Sequence, residues 1–243
     1  MLLSILLTTA MVVSTSNAQT LTGQYDCIKG AGNYDLCQNL WGKSSGVGSQ
    51  SSTLISASGD NISWSTNWTW ANNENSVKSY ANVESTTAKG VKLSDIKTAP
   101  TTWVWDHTTQ SDGIRADVAY DIWTGVQSVG APASANSSYE FMIWLAKLGG
   151  IQPVGSRIAS NVQVAGYNWE IWRGPNTNWQ VISFFTTDLI KNFQVDLTDF
   201  FDYLIANQSV SSSQYLQSIQ AGTEPFTGSA NLVTSQYSVS ITT

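Results

Sequence analysis

The sequence contains few charged residues, and this shortage limits the partners that the protein can have. Only 12% of its 243 residues are Asp, Glu, Lys or Arg, about half the share of an average soluble protein. The 11 Lys and Arg are outnumbered by 17 Asp and Glu, which gives a net charge of −6. Binding to a phosphate backbone requires clusters of positive charge. The composition therefore argues against a nucleic-acid partner and favours a neutral ligand.

Histidine is rarer still, and its scarcity limits the available chemistry. The single histidine, His107, lies in the polar segment WDHTTQSDG, which predicts a turn. One histidine cannot supply an HExxH or histidine-rich zinc site, and in such a loop it does not indicate a Ser-His-Asp triad. The phosphate-binding patterns GxxxxGK[ST] and GxGxxG are also missing. We expect neither a metal nor a nucleotide cofactor.

No apolar run is long enough to cross a membrane. The longest, Leu2–Val13, has 12 residues, whereas a spanning helix needs about 20. Small residues at Ser16 and Ala18 follow it, as at a secretory cleavage site. We predict a signal peptide at residues 1–18 and one secreted domain at residues 19–243, of a length that all-β sandwiches often fill. A buried N-terminal helix is the alternative, and nothing indicates an obligate oligomer, so we expect a monomer.

Cysteine is limited to Cys27 and Cys37. In an exported chain an even count favours a disulfide, which here would close a small N-terminal loop; two free thiols are the alternative. Four segments match the N-glycosylation pattern and indicate a eukaryotic secretory route: Asn61, Asn67, Asn136 and Asn207.

Alternation of apolar and polar residues predicts many short strands. In ISWSTNWTW the residues Ile62, Trp64, Thr66, Trp68 and Trp70 share one face, opposite Asn67. IRADVAYDIW, NVQVAGYNWEIW, NWQVISFFT and ANLVTSQYSVSI are further strands, and KSSGVGSQSS and RGPNTN are predicted turns.

One segment has a helical period instead. In VDLTDFFDYLIANQ the apolar residues Leu197, Phe200, Phe201, Leu204 and Ile205 form one stripe, with Asp196 or Thr198 as the cap. A single helix among many strands predicts a β-sandwich of two antiparallel sheets that the helix covers from outside.

Tryptophan is abundant, with 11 residues. Indole rings pack against the C–H faces of sugar rings, and Asn and Gln side chains bind hydroxyl groups, so the composition favours a neutral polysaccharide ligand. Tryptophan also fills the cores of sandwiches. For a single Trp, the core is the more frequent place.

The run SSYEFMIWLAKLGG places Glu140 at the start of an apolar strand. An ionised carboxylate there is costly unless it is paired or used. Met142 and Trp144 share its face, a mixture suited to the lining of a groove, whereas the other face is wholly apolar. Asp121 in VAYDIW and Glu224 in QAGTEPFTGSA, which lies between predicted turn glycines, are further acids beside strand residues. Two carboxyl groups across a groove suffice for glycoside hydrolysis, but the residues alone do not pair Glu140 with Glu224.

At these residues the sequence resembles glycoside hydrolase family 12, the fungal and bacterial endo-β-1,4-glucanases. The similarity runs through most of the mature chain, and its longest blocks surround the two glutamates. The matching segments are NLWG at Asn39–Gly42, VKSYANV at Val77–Val83, ADVAYDIW at Ala116–Trp123, YEFMIWLAKLGG at Tyr139–Gly150 and AGTEPFTG at Ala221–Gly228.

The resemblance implies a β-jelly roll of two curved antiparallel sheets, with one helix on the convex side and an open cleft on the concave side. It implies a retaining mechanism with Glu140 as nucleophile, Glu224 as acid/base and Asp121 as the acid beside the nucleophile. Four further positions match residues that line the cleft or bind glucose units: Asn39, Trp41, Met142 and Trp144.

The chain departs from the family at its disulfide. Family members commonly tie the N-terminus to the loop after NLWG, where Thr22 and Ser51 stand here. A different, tighter bridge between Cys27 and Cys37 is our prediction.

Several segments, among them GGIQPVG and APTTWVW, resemble the xyloglucan-specific fungal members. A plant cell-wall β-glucan is the expected substrate, with xyloglucan favoured and unbranched β-1,4-glucan as the alternative. A non-catalytic jelly-roll lectin or a cell-wall-loosening protein would share the Trp-rich sandwich but would not need both acids.

Overall fold

The structure, a computed structural model, describes residues 18–186 and 188–243. Apart from residue 18, the predicted signal peptide lies outside the described residues. The described chain forms one α-helix, α1 (Thr198–Asn207), two short 3₁₀ helices (Lys43–Ser45 and Leu93–Asp95) and fifteen strands: β1 (Gln19–Leu21), β2 (Cys27–Ala31), β3 (Tyr34–Cys37), β4 (Val47–Ser58), β5 (Asn61–Ala71), β6 (Ala81–Ser85), β7 (Pro100–Gln110), β8 (Arg115–Gly125), β9 (Tyr139–Leu148), β10 (Ser156–Val164), β11 (Tyr167–Asn176), β12 (Trp179–Phe185), β13 (Asn192–Asp196), β14 (Tyr215–Thr223) and β15 (Pro225–Val239).

The strands form two sheets, which confirms the predicted all-β jelly roll. The smaller sheet has the strand order β1-β4-β5-β15-β7-β13, and the larger one has the order β2-β3-β6-β14-β8-β9-β12-β11-β10. Strand β15 joins them, because Pro225 and Thr227 pair with β8 whereas the residues from Gly228 onward pair with β5 and β7. Gly228 has a φ of +105° at this crossing, a conformation that a side chain would strain.

Aromatic side chains fill the space between the sheets. Trp64 of β5 stacks on Trp103 of β7, with ring centroids 6.3 Å apart, and Trp103 meets Tyr120 of β8 edge to face at 5.0 Å. The predicted stripe on β5 points inward, since Trp64, Trp68 and Trp70 are all buried. Their indole rings therefore belong to the core, and none of the three lines the cleft on the concave face.

The helix has the predicted position and the predicted apolar stripe. Phe200 packs against Phe184 of β12 at 4.9 Å and against Trp169 of β11 at 5.6 Å. Those rings lie on the convex face of the larger sheet, where the smaller sheet is too narrow to cover it. The N-cap residue is Leu197 and not the predicted Asp196 or Thr198. Asp196 precedes it, and its Oδ1 accepts hydrogen bonds from the N–H of Thr198 at 3.0 Å and from its hydroxyl at 2.6 Å.

One pair of strands breaks the antiparallel pattern that the sequence predicted. Strand β12 runs parallel to β9, with Val181 opposite Glu140. After β9 the chain turns at Gly149 and Gly150, whose φ values are +71° and +73°. It then returns along the concave face with Ile151 buried, and re-enters the sheet at its outer edge as β10. Two hairpins later, β12 has the direction of β9.

Four predicted turns are wrong in detail. His107 lies within β7, opposite Leu232, because the polar residues around it continue a strand with an exposed outer face. Six of the ten residues of KSSGVGSQSS belong to β4, and RGPNTN is mostly the end of β11. Gly222 and Gly228 lie inside β14 and β15, so Glu224 is the single residue between two strands. Within residues 18–186 and 188–243, none of the helices is long and apolar enough to cross a membrane.

Candidate functional site

The register of the larger sheet brings the three predicted acids to one place. Asp121 of β8 lies opposite Met142 of β9 and Gln220 of β14, and Glu140 lies opposite Trp123. Because side chains alternate between faces along a strand, these residues share the concave face. Glu224 reaches the same place from the end of β14, the strand that pairs with β8 on its other side.

These residues line a cleft of about 690 Å³ on the concave face. It extends across the larger sheet from β3 to the turn between β11 and β12. All seven residues that the sequence placed at the site line it: Asn39, Trp41, Asp121, Glu140, Met142, Trp144 and Glu224.

Glu140 is the carboxyl group on the floor of the cleft. Its side chain is buried, and its Oε2 accepts a hydrogen bond of 2.8 Å from the Nε1–H of Trp179. Burial raises the pKa of Glu140 to about 7, and the bond from Trp179 acts in the opposite direction because it stabilises the ionised form. This carboxylate is oriented and still poorly solvated, which suits a nucleophile.

Glu224 has a different environment, which holds its proton more firmly. Burial raises the pKa of Glu224 well above its usual value, and the negative charges of Asp117, Asp121 and Glu140 raise it further. Its backbone N–H donates a hydrogen bond of 2.8 Å to Oδ1 of Asp117. Two carboxyl groups whose surroundings differ in this way are suited to opposite roles, one ionised and one protonated.

Asp121 lies next to Glu140 across the β8–β9 pair, and its side chain is buried. Burial raises its pKa well above the usual value, and the charges of Glu140 and Asp117 act in the same direction. Within the described residues its Oδ1 has no hydrogen-bond partner. A carboxyl group in this position stays neutral more readily than Glu140 and can share a proton with it.

The four predicted substrate contacts divide into two pairs. Met142 and Trp144 are buried in the cleft wall, and the Nε1–H of Trp144 points to the sulfur of Met142 at 3.4 Å. Asn39 and Trp41 lie near β3, at one end of the cleft. The Trp41 ring is 52% exposed, so one of its faces is free for a ligand.

Sequence reasoning missed three residues of the site: Trp179, Trp123 and Asp117. Trp179 binds Glu140 and packs edge to face on Trp123 at 5.2 Å, but only the parallel pairing of β12 with β9 brings it there. Asp117 lies beneath Glu224. Its period-two spacing from Asp121 was the one available signal. Four of the 11 tryptophans line the cleft: Trp41, Trp123, Trp144 and Trp179.

The remaining predicted sites have clear positions. Cys27 and Cys37 form a disulfide across the β2–β3 hairpin, and Cys37 lines the far end of the cleft. Thr22 and Ser51, which stand where relatives have their bridge, both line a smaller surface cavity. The four predicted glycosylation sites are all exposed, and their occupancy stays a prediction: Asn61, Asn67, Asn136 and Asn207.

His107 contributes nothing to the cleft. It lies in the smaller sheet beside Trp105, and burial lowers its pKa to about 4. Gly42–Gly46 has the G-x-S-x-G spacing of a hydrolase nucleophile. In the structure, Ser44 of this segment is exposed on a short 3₁₀ helix. Within the described residues, no group of three or more His, Cys, Asp or Glu side chains is arranged to hold a metal ion.

Comparison with known proteins connects this geometry to a family. The profile of glycosyl hydrolase family 12 matches residues 32–242. Xyloglucan-specific endo-beta-1,4-glucanase A of Aspergillus aculeatus is 44% identical over 240 residues, which cover 97% of each chain. Endoglucanase 3 of Trichoderma harzianum superposes with a TM-score of 0.86 at 37% identity, over 94% of this chain and 100% of that one. The catalytic domain of Humicola grisea Cel12A, solved with a soaked thio cellotetraose, gives 0.85 at 36% identity, over 92% and 99%.

Proposed function

The chain belongs to glycosyl hydrolase family 12, and from this premise we propose that it is a secreted, endo-acting, retaining β-1,4-glucanase whose main substrate is xyloglucan. One observation carries the proposal. Glu140 enters the cleft from β9 and Glu224 from the end of β14, on either side of β8, with surroundings that favour the ionised form of one relative to the other.

Glu140 is the nucleophile of the proposed reaction. Its ionised carboxylate attacks the anomeric carbon, forms a covalent glycosyl ester and displaces the rest of the glucan chain. Trp179 holds one carboxylate oxygen through its Nε1–H, so the other oxygen is free to attack. Asp121 holds a proton close to Glu140, so the floor of the cleft carries less negative charge than two ionised carboxylates would give it.

Glu224 supplies and then recovers the proton. It protonates the glycosidic oxygen as the bond breaks, so that the departing chain leaves as an alcohol. It then takes a proton from the water that attacks the glycosyl ester, which releases the sugar with its original configuration and returns Glu224 to its protonated form. The negative charges around Glu224 favour this form at the start of the cycle.

The dimensions of the cleft support attack within a chain. The cleft spans seven neighbouring strands, from Cys37 of β3 to Asn176 of β11. Six spacings of about 4.8 Å give a length of about 29 Å, which accommodates several sugar rings. Exposed Trp41 at one end offers a stacking surface for a sugar unit far from the reacting bond.

Relatives that are 43–44% identical over at least 95% of this chain favour xyloglucan over unbranched glucan. The Aspergillus aculeatus protein is named for xyloglucan. A general endo-β-1,4-glucanase is the second candidate, because the Humicola grisea enzyme was solved with a thio cellotetraose. The physical distinction is whether the cleft has room for the xylosyl branches or gains binding from them.

A comparison of substrates tests the proposal. Reducing-sugar release would be measured from xyloglucan, mixed-linkage β-glucan and carboxymethylcellulose, with Glu140→Gln as the blank. Hydrolysis of xyloglucan above the other two, abolished in the variant, is the expected result. Equal or greater release from the unbranched glucans would replace xyloglucan by the general activity. Release that persists in Glu140→Gln would overturn the assignment of the nucleophile.

Secretion is a separate part of the proposal. Expression of the full chain in a fungal host should give extracellular protein whose N-terminus is near Gln19, and its mass in solution should be that of one chain plus any glycan. Retention of the intact N-terminus inside the cell would contradict this part alone.

A further inference from the structure

The concave face carries a fourth acid, Asp117, to which nothing so far assigns a role. It lies on β8, four residues before Asp121, and therefore on the same face of the strand. Its side chain is completely buried, and it lies outside the lining of the cleft. Asp117 is thus beneath the site and does not reach a substrate.

Asp117 is bound to Glu224 by reciprocal hydrogen bonds. Its Oδ1 accepts the backbone N–H of Glu224 at 2.8 Å, and its own backbone N–H donates to the carbonyl oxygen of Glu224 at 3.2 Å. The hydroxyl of Thr223 donates to the carbonyl oxygen of Asp117. Three bonds therefore hold the short segment where β14 ends and β15 begins, at the one residue that belongs to neither strand.

Among the described residues, the ionisable groups around Asp117 are acids that can hold a proton, and none of them is a cation that could pair with its charge. The titratable groups that interact with it are Glu224 from the strand junction, Asp121 on its own strand and Tyr80, whose hydroxyl donates to the carbonyl oxygen of Ala119. Asp117 is absent from the ion pairs formed within residues 18–186 and 188–243.

Two positively charged residues lie close to Asp117 along or across its strand, and both bind other groups. Lys147, the cross-strand neighbour of Asp117 on β9, lies over the ring of Phe185 at 4.4 Å. Arg115, two residues before Asp117, donates to the backbone carbonyls of Glu74 and Gly149. The second oxygen of Asp117, Oδ2, is buried and has no partner in the described chain. A carboxylate in this setting disfavours a second negative charge on Glu224, the acid bonded to it, and so favours the protonated form of Glu224.

We propose that Asp117 is the positioning residue of the acid/base Glu224: it fixes the backbone of Glu224 and, through its negative charge, keeps the catalytic proton on that carboxyl group. The inference rests on the proposed function. During the reaction the proton passes from Glu224 to the glycosidic oxygen and is replaced from water, and Asp117 exchanges no bond with the substrate. Burial raises the pKa of Asp117 to about 7, but its hydrogen bonds with Glu224 lower it, whereas burial and then the charge of Asp117 raise the pKa of Glu224 well above its usual value.

Asp117→Asn is the decisive variant, because the amide oxygen can still accept the N–H of Glu224 while the negative charge is lost. Removal of that charge lowers the pKa of Glu224, so the basic limb of the pH profile of kcat/KM should move to lower pH by about one unit. Asp106→Asn, which removes one charge from the exposed face of the smaller sheet, is the matched control and should leave the limb in place.

A second readout separates positioning from a general loss of structure. Glucan substrates have a poor leaving group that needs the proton of Glu224, whereas an aryl oligoglucoside with a nitrophenol leaving group does not. Asp117→Ala should reduce kcat/KM on xyloglucan by about 100-fold and on the aryl substrate by less than about threefold. Equal losses on both substrates, or a basic limb in Asp117→Asn that stays in place or moves to higher pH, would overturn the proposal.

A measurement on the unsubstituted protein tests the proposal even if the variants fold poorly. A ¹³C carboxyl NMR titration of the unsubstituted protein should show Asp117 and Glu224 responding to each other's ionisation, each in two steps. Independent single steps would contradict the proposal. Failure of the unsubstituted enzyme to hydrolyse any β-glucan would instead overturn the proposed function, and the two failures are therefore distinguishable.

Discussion

The two faces of strand β9 show how one sequence pattern serves two purposes. Phe141, Ile143 and Leu145 lie on the convex face, buried in the core between the sheets and the helix. Glu140, Met142 and Trp144 alternate with them and line the cleft on the concave face. The residues on both faces are at most 8% exposed, so burial alone does not distinguish the core from the site.

The faces differ in the kind of polar group that they bury. On the convex side, the buried indole N–H of Trp169 donates to the carbonyl oxygen of Val164 at 3.1 Å, and that of Trp103 donates to Oγ1 of Thr234 at 3.0 Å. On the concave side, Oδ1 of Asp121, Oδ2 of Asp117 and Nε1 of Trp123 have no partner in the described chain. Unsatisfied buried polar atoms are costly in a stable core. Atoms without a partner also occur in the core between the sheets, at Nε1 of Trp64 and the hydroxyl of Tyr237. What distinguishes the concave face is that its unpartnered atoms, within the described residues, include two carboxyl oxygens.

The largest expected effect is on the concave face. Glu140→Gln should lower kcat on β-glucan by more than about a thousandfold, because a neutral amide cannot attack the anomeric carbon. The free energy of unfolding at pH 7 should not fall, since the variant removes a buried carboxyl group without changing the shape of the side chain. Urea unfolding beside the activity assay checks both parts. A variant that lost stability in proportion to activity would make Glu140 a structural residue.

A substitution on the convex face should have the opposite effect. Phe200→Ala on the helix leaves a cavity against Phe184 and Trp169 and should lower the free energy of unfolding by about 3–5 kcal/mol. The kcat of the protein that remains folded should be unchanged. Asp202→Ala, on the exposed side of the same helix, is the control and should change stability by less than about 0.5 kcal/mol. A change in kcat with Phe200→Ala would show that the two faces are coupled.

The carboxyl groups of the concave face should also make stability depend on pH. The pKa values of Asp117, Asp121, Glu140 and Glu224 are all raised in the folded chain, to about 7 for Asp117 and Glu140. Their contribution is present below the pKa values of the unfolded chain and is lost as the pH rises through the folded values.

The midpoint of thermal unfolding should therefore be lower at pH 8 than at pH 5, and the difference should shrink in Glu140→Gln. Asp106→Asn should leave the difference unchanged, because Asp106 is exposed and its pKa is lowered. A midpoint that rose between pH 5 and pH 8 would contradict this account of the buried acids.

The smallest expected effect concerns the orientation of Glu140. Trp179→Phe keeps a ring in the cleft wall but removes the N–H that stabilises the ionised carboxylate. The pKa of Glu140 should rise, and the acidic limb of the pH profile should move to higher pH by about one unit, because a hydrogen bond to a charged group contributes about 1.5–3 kcal/mol. Trp172→Phe, on the neighbouring strand and bonded to Glu170 instead, is the control. An acidic limb that Trp179→Phe leaves in place would mean that this bond does not set the ionisation of Glu140.

Local patterns predicted much of this molecule. Alternation along β9 placed Glu140 on one face with Met142 and Trp144, opposite a wholly apolar face, and the helical period of Leu197–Ile205 predicted α1. These features depend on residues a few positions apart, and physical rules for one strand or one helix are sufficient for them. The resemblance to the family then supplied the pairing of Glu140 with Glu224.

Features that depend on distant pairing could not be read in the same way. Trp179 reaches Glu140 only because β12 runs parallel to β9, and Asp117 meets Glu224 only through the register of β14 on β8. His107 was expected in a turn because its neighbours are polar, but one exposed face lets a strand carry such residues. The role of each Trp likewise depends on which face of which sheet it occupies.

The most direct test of the central claim is the configuration of the first product. Proton NMR would follow the anomeric signals of oligosaccharides released from xyloglucan, from the first minutes of the reaction. The account predicts that the β-anomer appears first and then mutarotates, because Glu140 and Glu224 together invert the anomeric carbon twice. First appearance of the α-anomer would contradict the covalent role of Glu140 and with it the paired roles of the two acids.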